Sequence, residues 1–286
     1  MTPDGRTLAV LEAGAPEGPV LVSHHGAPSA GRVYRTEDES AREKGLRLIT
    51  YDRPGYGGST PHRGRSVGDA ARDVAAILDA LGIERFATYG WSGGGPHALA
   101  CAALLPDRCA AAATIAGVAP ADAPDLDWLA GMGEGNVVEF AMARQGREPL
   151  TEYCRADAAA IVAAGPEGMA EAMRPHLSDV DARALTGELA AYLSELMSAG
   201  LEPGVEGWVD DDLAFIAPWG FDLETIRVPI SIWQGVQDLM VPAGHARWLG
   251  EHVAGAERRV LPDEGHLTLF AERIGDVHAL LRDRLV

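Results

Sequence analysis

Short apolar segments alternate with helical periodicity in two stretches of this chain, residues 1–118 and 221–286. This alternation is typical of a mostly parallel β-sheet whose strands are connected by crossover helices. The predicted strands cover residues 7–12, 20–24, 47–51, 85–89, 110–115, 226–234 and 258–261. The predicted fold class is therefore α/β, with a doubly wound sheet.

Helical patterns lie between these strands and after the last one. They cover residues 74–81, 98–105, 245–252 and 269–285, and a polar stretch at residues 32–44 can supply a further crossover. Ser66 and Asp69 resemble a capping box in front of the first of these helices, and Gly82 is a candidate for its C-cap. The helices supply the crossovers that parallel strands need.

Residues 119–220 interrupt the alternation. Strand patterns disappear there, and helical patterns such as the one over residues 181–197 are separated by Gly- and Pro-containing breaks at 165–166, 175 and 200–204. We expect a core built from residues 1–118 and 221–286, with residues 119–220 as an all-helical subdomain inserted into it.

Charge limits the partners that such a chain can have. The sequence contains 24 Lys and Arg against 42 Asp and Glu, a formal net charge of −18. Nucleic acids and anionic membrane surfaces bind basic patches, so this charge argues against both. We expect a small-molecule substrate, and whether the chain forms a homo-oligomer stays open.

The cysteines and the lack of long apolar runs indicate the cellular compartment of the protein. Cys101, Cys109 and Cys154 are odd in number and lack the spacing of metal ligands. Residues 1–14 lack the charged and apolar regions of a secretory signal, and no apolar run reaches the roughly 18 residues of a membrane helix. The sequence therefore predicts a cytoplasmic protein without a metal or cofactor.

Gly90-Trp91-Ser92-Gly93-Gly94 lies between a predicted strand and a predicted helix. At such a sharp turn a serine hydroxyl is lifted out of the sheet, and the small flanking residues permit the strained backbone. The N–H of Gly93 can also stabilise negative charge on a reacting carbonyl. Ser92 is therefore a candidate nucleophile, the alternative being a serine that only caps a helix.

A serine nucleophile needs a base and an orienting acid, which in this arrangement follow in the order Ser, Asp or Glu, His. Asp238 comes just after the predicted strand at 230–233, and His266 comes just after the strand at 258–261. Both loops are expected to open on the same edge of the sheet as Ser92. The alternative is a pair of ordinary surface-loop residues.

Two further loops follow predicted strands. His24-His25-Gly26-Ala27-Pro28 can supply a second oxyanion donor from the Ala27 N–H, because Pro28 has none. Asp52-Arg53-Pro54-Gly55-Tyr56-Gly57-Gly58-Ser59 forms a rigid turn, which we interpret as mainly structural.

Together these segments resemble the α/β-hydrolase superfamily over nearly the whole chain. The resemblance rests on the loops just described, on Gly235-Val236-Gln237-Asp238 with Val241-Pro242, and on Gly265-His266. It implies an α/β-hydrolase fold with Ser92 as nucleophile, His266 as general base and then acid, and Asp238 stabilising the imidazolium. It also implies that residues 119–220 form a helical cap. The chain begins where the family's second strand is expected, so an edge strand is expected to be absent or supplied differently.

A serine at position 92 narrows the activities that the resemblance implies. Haloalkane dehalogenases and epoxide hydrolases of this fold use an aspartate nucleophile, and prolyl iminopeptidases usually carry Gly-Gly-Ser-Trp-Gly. The charge of −18 does not suggest a lipase with a large interfacial patch. Hydrolysis of a small-molecule carboxylic ester is favoured. The alternatives are thioester, lactone or carbon–carbon bond hydrolysis, a perhydrolase or haloperoxidase-like activity, an aminopeptidase, and a receptor-like protein with little turnover.

Pocket residues can be proposed from their positions next to the predicted site and in the insertion. Trp91 adjoins Ser92 and His25 adjoins the oxyanion loop, so both are candidates for the pocket wall. In the insertion the apolar candidates are Trp128, Met132, Phe140, Met142 and Trp208. Those side chains could equally form the core of the insertion itself. Asp210, Asp211 and Asp212 would disfavour anionic substrates if they face the pocket.

Overall fold

A computed structural model describes residues 1–285 of the chain. Its strands are β1 (Val10–Gly14), β2 (Val20–His24), β3 (Arg47–Tyr51), β4 (Phe86–Trp91), β5 (Cys109–Ile115), β6 (Ile230–Gly235) and β7 (Glu257–Leu261). Within the described range they form one seven-stranded sheet in the order β1-β3-β2-β4-β5-β6-β7. Only β1 runs antiparallel to its neighbour in this sheet of residues 1–285, so the predicted mostly parallel sheet is confirmed.

The helices are α1 (Arg35–Glu43), α2 (Asp69–Ala80), α3 (Gly94–Leu104), α4 (Glu134–Gln145), α5 (Arg147–Ala172), α6 (Asp179–Ala184), α7 (Gly187–Leu201), α8 (Glu206–Ile216), α9 (Ala243–His252) and α10 (His266–Leu285). Short 3-10 turns cover Arg174–His176 and Leu223–Thr225. The residues of β2, β4 and β6 are buried throughout, because helices cover both faces of a parallel sheet.

The first strand differs from its prediction. It covers Val10–Gly14 instead of residues 7–12, and it pairs with β3 from Val10 opposite Tyr51 to Gly14 opposite Arg47. In the part of the chain that the structure describes, no strand pairs with the outer side of β1. This antiparallel strand is therefore one edge of the sheet, and β7 is the other.

Two helix predictions need correction. The single helix predicted over residues 181–197 is wrong, because α6 ends at Ala184 and α7 begins at Gly187. Thr186 is extended there and Gly187 takes a φ of 53°, a left-handed conformation that glycine adopts without a Cβ clash. Helix α3 begins at Gly94, ahead of the predicted residue 98, since the low helix propensity of glycine conceals its first turn.

Helices α4 to α8 all lie in the chain between β5 and β6, where the sequence predicts an all-helical insertion. We call residues 119–220 the insertion, and its exact boundaries stay a prediction. The break predicted at 165–166 is confirmed, since Gly165 has a φ of 58° and Pro166 follows it inside α5. Among residues 1–285 no helix is both long and apolar enough to cross a membrane.

Candidate active site

Ser92 occupies a sharp turn between β4 and α3. Its φ is 55°, which is rare for a residue with a side chain and indicates stored backbone strain. A Cβ on Gly90 would lie 2.0 Å from Gly94 O, and one on Gly94 would lie 2.1 Å from His24 O. Both positions therefore require glycine, because any side chain there would clash with the backbone of the turn or of the neighbouring loop.

His266 and Asp238 are joined by a hydrogen bond from His266 Nδ1 to Asp238 Oδ2, 2.8 Å long. The other oxygen of Asp238 accepts the N–H groups of Met240 and Val241, each at 2.8 Å. Gln234 Nε2 donates to Asp238 Oδ2 at 3.1 Å and to Val241 O at 2.8 Å. The carboxylate is thus held in one orientation, and Gln234 is a supporting residue that the sequence analysis missed.

His266 is also the first residue of α10, and a buried carboxylate from the insertion contacts that helix end. Asp181 Oδ2 accepts the His266 N–H at 2.8 Å, and Asp181 Oδ1 accepts the Leu267 N–H at 2.9 Å. A Cβ on Gly265 would lie 2.3 Å from Asp181 Oδ2, which explains the glycine before the histidine. Local sequence does not predict this contact, because Asp181 precedes His266 by 85 residues.

The second ring nitrogen of His266 is available for chemistry. His266 Nε2 is buried and has no hydrogen-bond partner among the described residues. Ser92 and His266 line the same cavity. Burial alone would lower the pKa of His266, but the charge and hydrogen bond of Asp238 outweigh it, so the pKa is raised above its ordinary value of 6.5.

The loop after β2 approaches Ser92 from the opposite side. A Cβ on Gly26 would lie 3.4 Å from Ser92 Cβ, and one on Gly93 would lie 3.4 Å from Ala27 Cβ. No turn or loop hydrogen bond within residues 1–285 uses the N–H of Ala27 or of Gly93. These two donors are free to bind an oxygen that develops negative charge beside Ser92.

Arg53 holds this loop in place. Its guanidinium donates to His25 O and, at 2.9 Å, to Gly26 O. Its backbone N–H donates to His25 Nε2 at 3.0 Å. The mainly structural interpretation of the loop that follows β3 therefore agrees with these contacts, and Arg53 acts on the site through the backbone of the loop after β2.

Two adjoining cavities meet at Ser92, and both are lined by Ala27, Pro28, Met197 and Met240. The larger cavity has about 710 Å³ of atom-free space counted out to its mouth, and the smaller about 320 Å³. The smaller cavity is apolar, with Leu193, Leu196 and Leu267 beside His266. The larger cavity extends into the insertion, where its polar wall consists of Asn136, Glu139, Asp157, His176 and Asp212.

Known proteins resemble this chain in sequence and in fold. A family model for the alpha/beta hydrolase fold matches residues 19–147. The uncharacterized hydrolase YcgS of Bacillus subtilis is 28% identical over 285 residues, which are 98% of this chain and 95% of that protein. The chain has the fold of the α/β-hydrolase superfamily. The resemblance inferred from the sequence is confirmed, and so is the classification of the chain as a hydrolase.

Other relatives of the hydrolase have more specific names. Epoxide hydrolase A of Mycobacterium tuberculosis is 26% identical over 306 residues, with 99% of this chain and 95% of that protein covered. The crystal structure of a thermophilic esterase from Thermogutta terrifontis superposes with a TM-score of 0.72 at 23% identity, covering 100% of this chain and 97% of the other. At that identity the likeness shows the shared fold alone.

The predicted pocket residues of the hydrolase divide into two groups. Phe140 and Trp208 line the larger cavity and Trp91 lines the smaller one. Trp128 and His25 line neither cavity, which corrects their assignment to the pocket. Trp128 packs its ring edge-on against Phe140 and donates its indole N–H to Ala119 O. His25 is turned toward Arg53 and Tyr56, since it accepts from the former and packs against the latter.

The side chains of the three consecutive aspartates of α8 have different surroundings in the hydrolase. Asp210 and Asp211 are buried in ion pairs with Arg65, Arg53 and Arg147, and they do not line the cavity walls described above. Asp212 lines the larger cavity. Within residues 1–285 no group of three or more His, Cys, Asp or Glu side chains is placed to hold a metal ion.

Proposed function

We propose that this hydrolase cleaves carboxylic esters of small molecules through an acyl-enzyme on Ser92. The observation that carries the proposal is the placement of Ser92, at a φ of 55°, in one cavity wall with a histidine that is hydrogen-bonded to a buried aspartate. A serine, a base and an orienting acid are the parts that nucleophilic acyl transfer needs. In this proposal the insertion acts as a cap over the cavity.

Acylation proceeds by attack of Ser92 Oγ on the ester carbonyl carbon while His266 Nε2 accepts the hydroxyl proton. Asp238 stabilises the imidazolium that forms, through the 2.8 Å hydrogen bond to Nδ1. The N–H groups of Ala27 and Gly93 bind the oxyanion of the tetrahedral intermediate. The imidazolium then protonates the leaving alkoxide, and the ester C–O bond breaks.

Deacylation repeats these steps with water. His266 Nε2 takes a proton from a water molecule that attacks the acyl carbon, and the second tetrahedral intermediate is stabilised by the same two N–H groups. Its collapse returns the proton to Ser92 and releases the carboxylic acid. The buried, unpartnered Nε2 supports this double use, because nothing else among the described residues competes for it.

Epoxide hydrolysis, the activity named for one relative, is less well supported. The position at the turn after β4 holds a serine instead of a carboxylate. A serine that opened an epoxide would form an ether, which water does not hydrolyse readily, whereas the ester formed by acyl transfer is hydrolysed. The residue at position 92 therefore favours acyl substrates.

The test uses p-nitrophenyl esters of graded acyl length and a fluorophosphonate probe. We expect the wild-type protein to hydrolyse the shorter esters and to be labelled, and Ser92→Ala to do neither. Ser66→Ala is the matched control, since Ser66 lies three residues before α2 and lines neither cavity. Labelling that survives Ser92→Ala, or a wild type that binds ligands without labelling or turnover, contradicts the proposal.

Replacing Asp238 by Asn tests the orienting acid. We expect kcat to fall by about 10⁴-fold, as in other triads, because the amide no longer stabilises the imidazolium. Steady-state kinetics with the best ester from the series above measures the effect. Unchanged kcat would assign the role to another residue.

A further inference from the structure

Of the three consecutive aspartates of α8, only Asp212 lines the larger cavity, and the proposed chemistry does not use it. Asp211 accepts from Arg53, from Arg65 and, at 2.9 Å, from Tyr56. Asp210 is paired with Arg147 and accepts the Gly64 N–H at 3.1 Å. The neighbouring Asp212 differs, because its Oδ2 is buried and accepts no hydrogen bond from a backbone N–H, a hydroxyl or a basic side chain within residues 1–285.

Glu139 lies beside Asp212 on the same wall of the cavity. One of its oxygens accepts the indole N–H of Trp208 at 2.6 Å. Both residues are more than nine-tenths buried, with 7% of Glu139 and 2% of Asp212 exposed. The two carboxyl groups lie within hydrogen-bond reach of each other. Two buried carboxyl groups that are this close cannot both stay ionised, so they share a proton.

The pKa values of both carboxyl groups are shifted in the direction that a shared proton requires. Burial raises the pKa of Glu139 to about 7. Burial, together with the negative charge of Glu139, raises the pKa of Asp212 well above its usual range. Arg65 is the basic side chain whose charge acts on Asp212 in the opposite direction, but its hydrogen bonds go to Asp211 and to Gly207 O. The pair therefore has no counter-charge of its own among the described residues.

We propose that Glu139 and Asp212 form a subsite for an ammonium group carried by the substrate. The inference rests on the proposed ester hydrolysis and specifies its substrate class. A cation placed between the two carboxyl groups supplies the missing counter-charge, fills the unused lone pairs of Asp212 and lets the shared proton leave. Asp157 lies on the same wall and adds a third acidic group.

An ammonium group fits these observations better than a hydroxyl group does. A hydroxyl group brings one donor and no charge, whereas an ammonium brings three donors and one positive charge. The net charge of −18 also attracts cationic substrates and repels anionic ones. The smaller cavity, which is apolar, receives the uncharged part of the same substrate on the other side of Ser92.

The experiment compares straight-chain acetate esters of equal length whose alcohol ends in an ammonium, a hydroxyl, a methyl or a carboxylate group. A second series carries the same four groups at the end of the acyl chain of p-nitrophenyl esters. We expect kcat/KM for the ammonium ester to exceed that for the hydroxyl ester by about 10- to 100-fold in one of the two series, the range of a hydrogen bond to a charged group. Equal or better hydrolysis of the hydroxyl esters in both series would overturn the proposal.

Variants of Glu139 and Asp212 test whether these two residues cause the preference for ammonium esters. Glu139→Gln and Asp212→Asn keep nearly the same shape, and each is expected to lower the ammonium-to-hydroxyl ratio of kcat/KM by about tenfold or more. Glu134→Gln removes the same charge from an exposed position of α4 and is expected to leave the ratio unchanged. A ratio that survives both cavity variants, or that falls equally in Glu134→Gln, would contradict the inference.

Binding to the Ser92→Ala protein separates this inference from the proposed function. Titration calorimetry with hexylammonium and with hexanol measures the subsite without any turnover. Tighter binding of hexylammonium, lost in Ser92→Ala combined with Asp212→Asn, supports the subsite even if no ester is hydrolysed. Hydrolysis of neutral esters by the wild type, together with equal binding of the two probes, would leave ester hydrolysis standing and reject the subsite.

Discussion

The side chains of Asp238 and Trp91 both contact His266. Asp238 contacts Nδ1 and raises the pKa against the opposing effect of burial. Trp91 donates its indole N–H to His266 O at 3.3 Å, and its ring lies 5.6 Å from the imidazole. Nε2 is left without a partner among residues 1–285. These contacts orient the imidazole ring, and Nε2 remains available to accept a proton.

The pH dependence of the reaction follows from the raised pKa. A general base must be neutral, so activity is expected to be complete at alkaline pH and to fall as the pH drops through a value above 6.5. Asp238→Asn removes the charge that raises this pKa, so the midpoint of the residual activity is expected to move to lower pH. Profiles of kcat/KM against pH for both proteins measure the shift, and identical midpoints would contradict it.

At the scale of secondary-structure elements, the start of helix α10 is contacted by a residue of the insertion. Asp181 is fully buried in α6 and accepts three successive N–H groups at the start of α10, those of His266, Leu267 and Thr268. A carboxylate in that position satisfies free helix donors and interacts favourably with the helix dipole. The insertion is therefore tied to the histidine as well as to the cavity.

Asp181→Asn tests this tie. We expect the free energy of unfolding to fall by about 1–2 kcal/mol, since an amide cannot accept at both ends. The negative charge of Asp181 also raises the pKa of His266, so the acid midpoint of kcat/KM is expected to move to lower pH. Urea unfolding and pH profiles are the measurements. Asp179→Asn, an exposed change in the same helix, is the control and should alter neither.

At the scale of the whole molecule, one buried ion cluster joins the insertion to the core. Asp211 of α8 lies 2.6 Å from Arg53 Nη2 and 2.7 Å from Arg65 Nη2, and none of the three side chains is more than 3% exposed. Arg53 in turn holds the backbone of the loop that presents Ala27. Docking of the insertion and the position of the loop that carries Ala27 are therefore coupled.

Asp211→Asn leaves two buried guanidinium groups without their shared partner. We expect a loss of about 3–5 kcal/mol in the free energy of unfolding, the usual consequence of breaking a buried ion pair on one side. The control is Asp107→Asn, which changes an exposed carboxylate and should cost little. Urea denaturation followed by circular dichroism compares the two, and equal stabilities would show that the cluster does not hold the molecule together.

Much of this molecule could be predicted from local sequence. Strand and helix periodicity predicts the alternating core, and Ser92, Asp238 and His266 can be found because each follows a predicted strand. Parallel strands bring their carboxyl ends to one edge of the sheet, so residues distant in the chain become neighbours by topology alone. The same reasoning fails for Trp128, because an aromatic residue in a helix has the same pattern whether it faces a cavity or a neighbouring helix.

The contacts made by the insertion required the folded structure. The partners of Asp181 lie 85 to 87 residues away, and Asp211 lies 158 residues from Arg53. Three consecutive aspartates look alike in the sequence, yet two of them neutralise buried arginines and the third faces the cavity beside Glu139. Successive residues of a helix point in directions about 100° apart. Which of them meets a cation and which meets the cavity therefore depends on how α8 packs against the core.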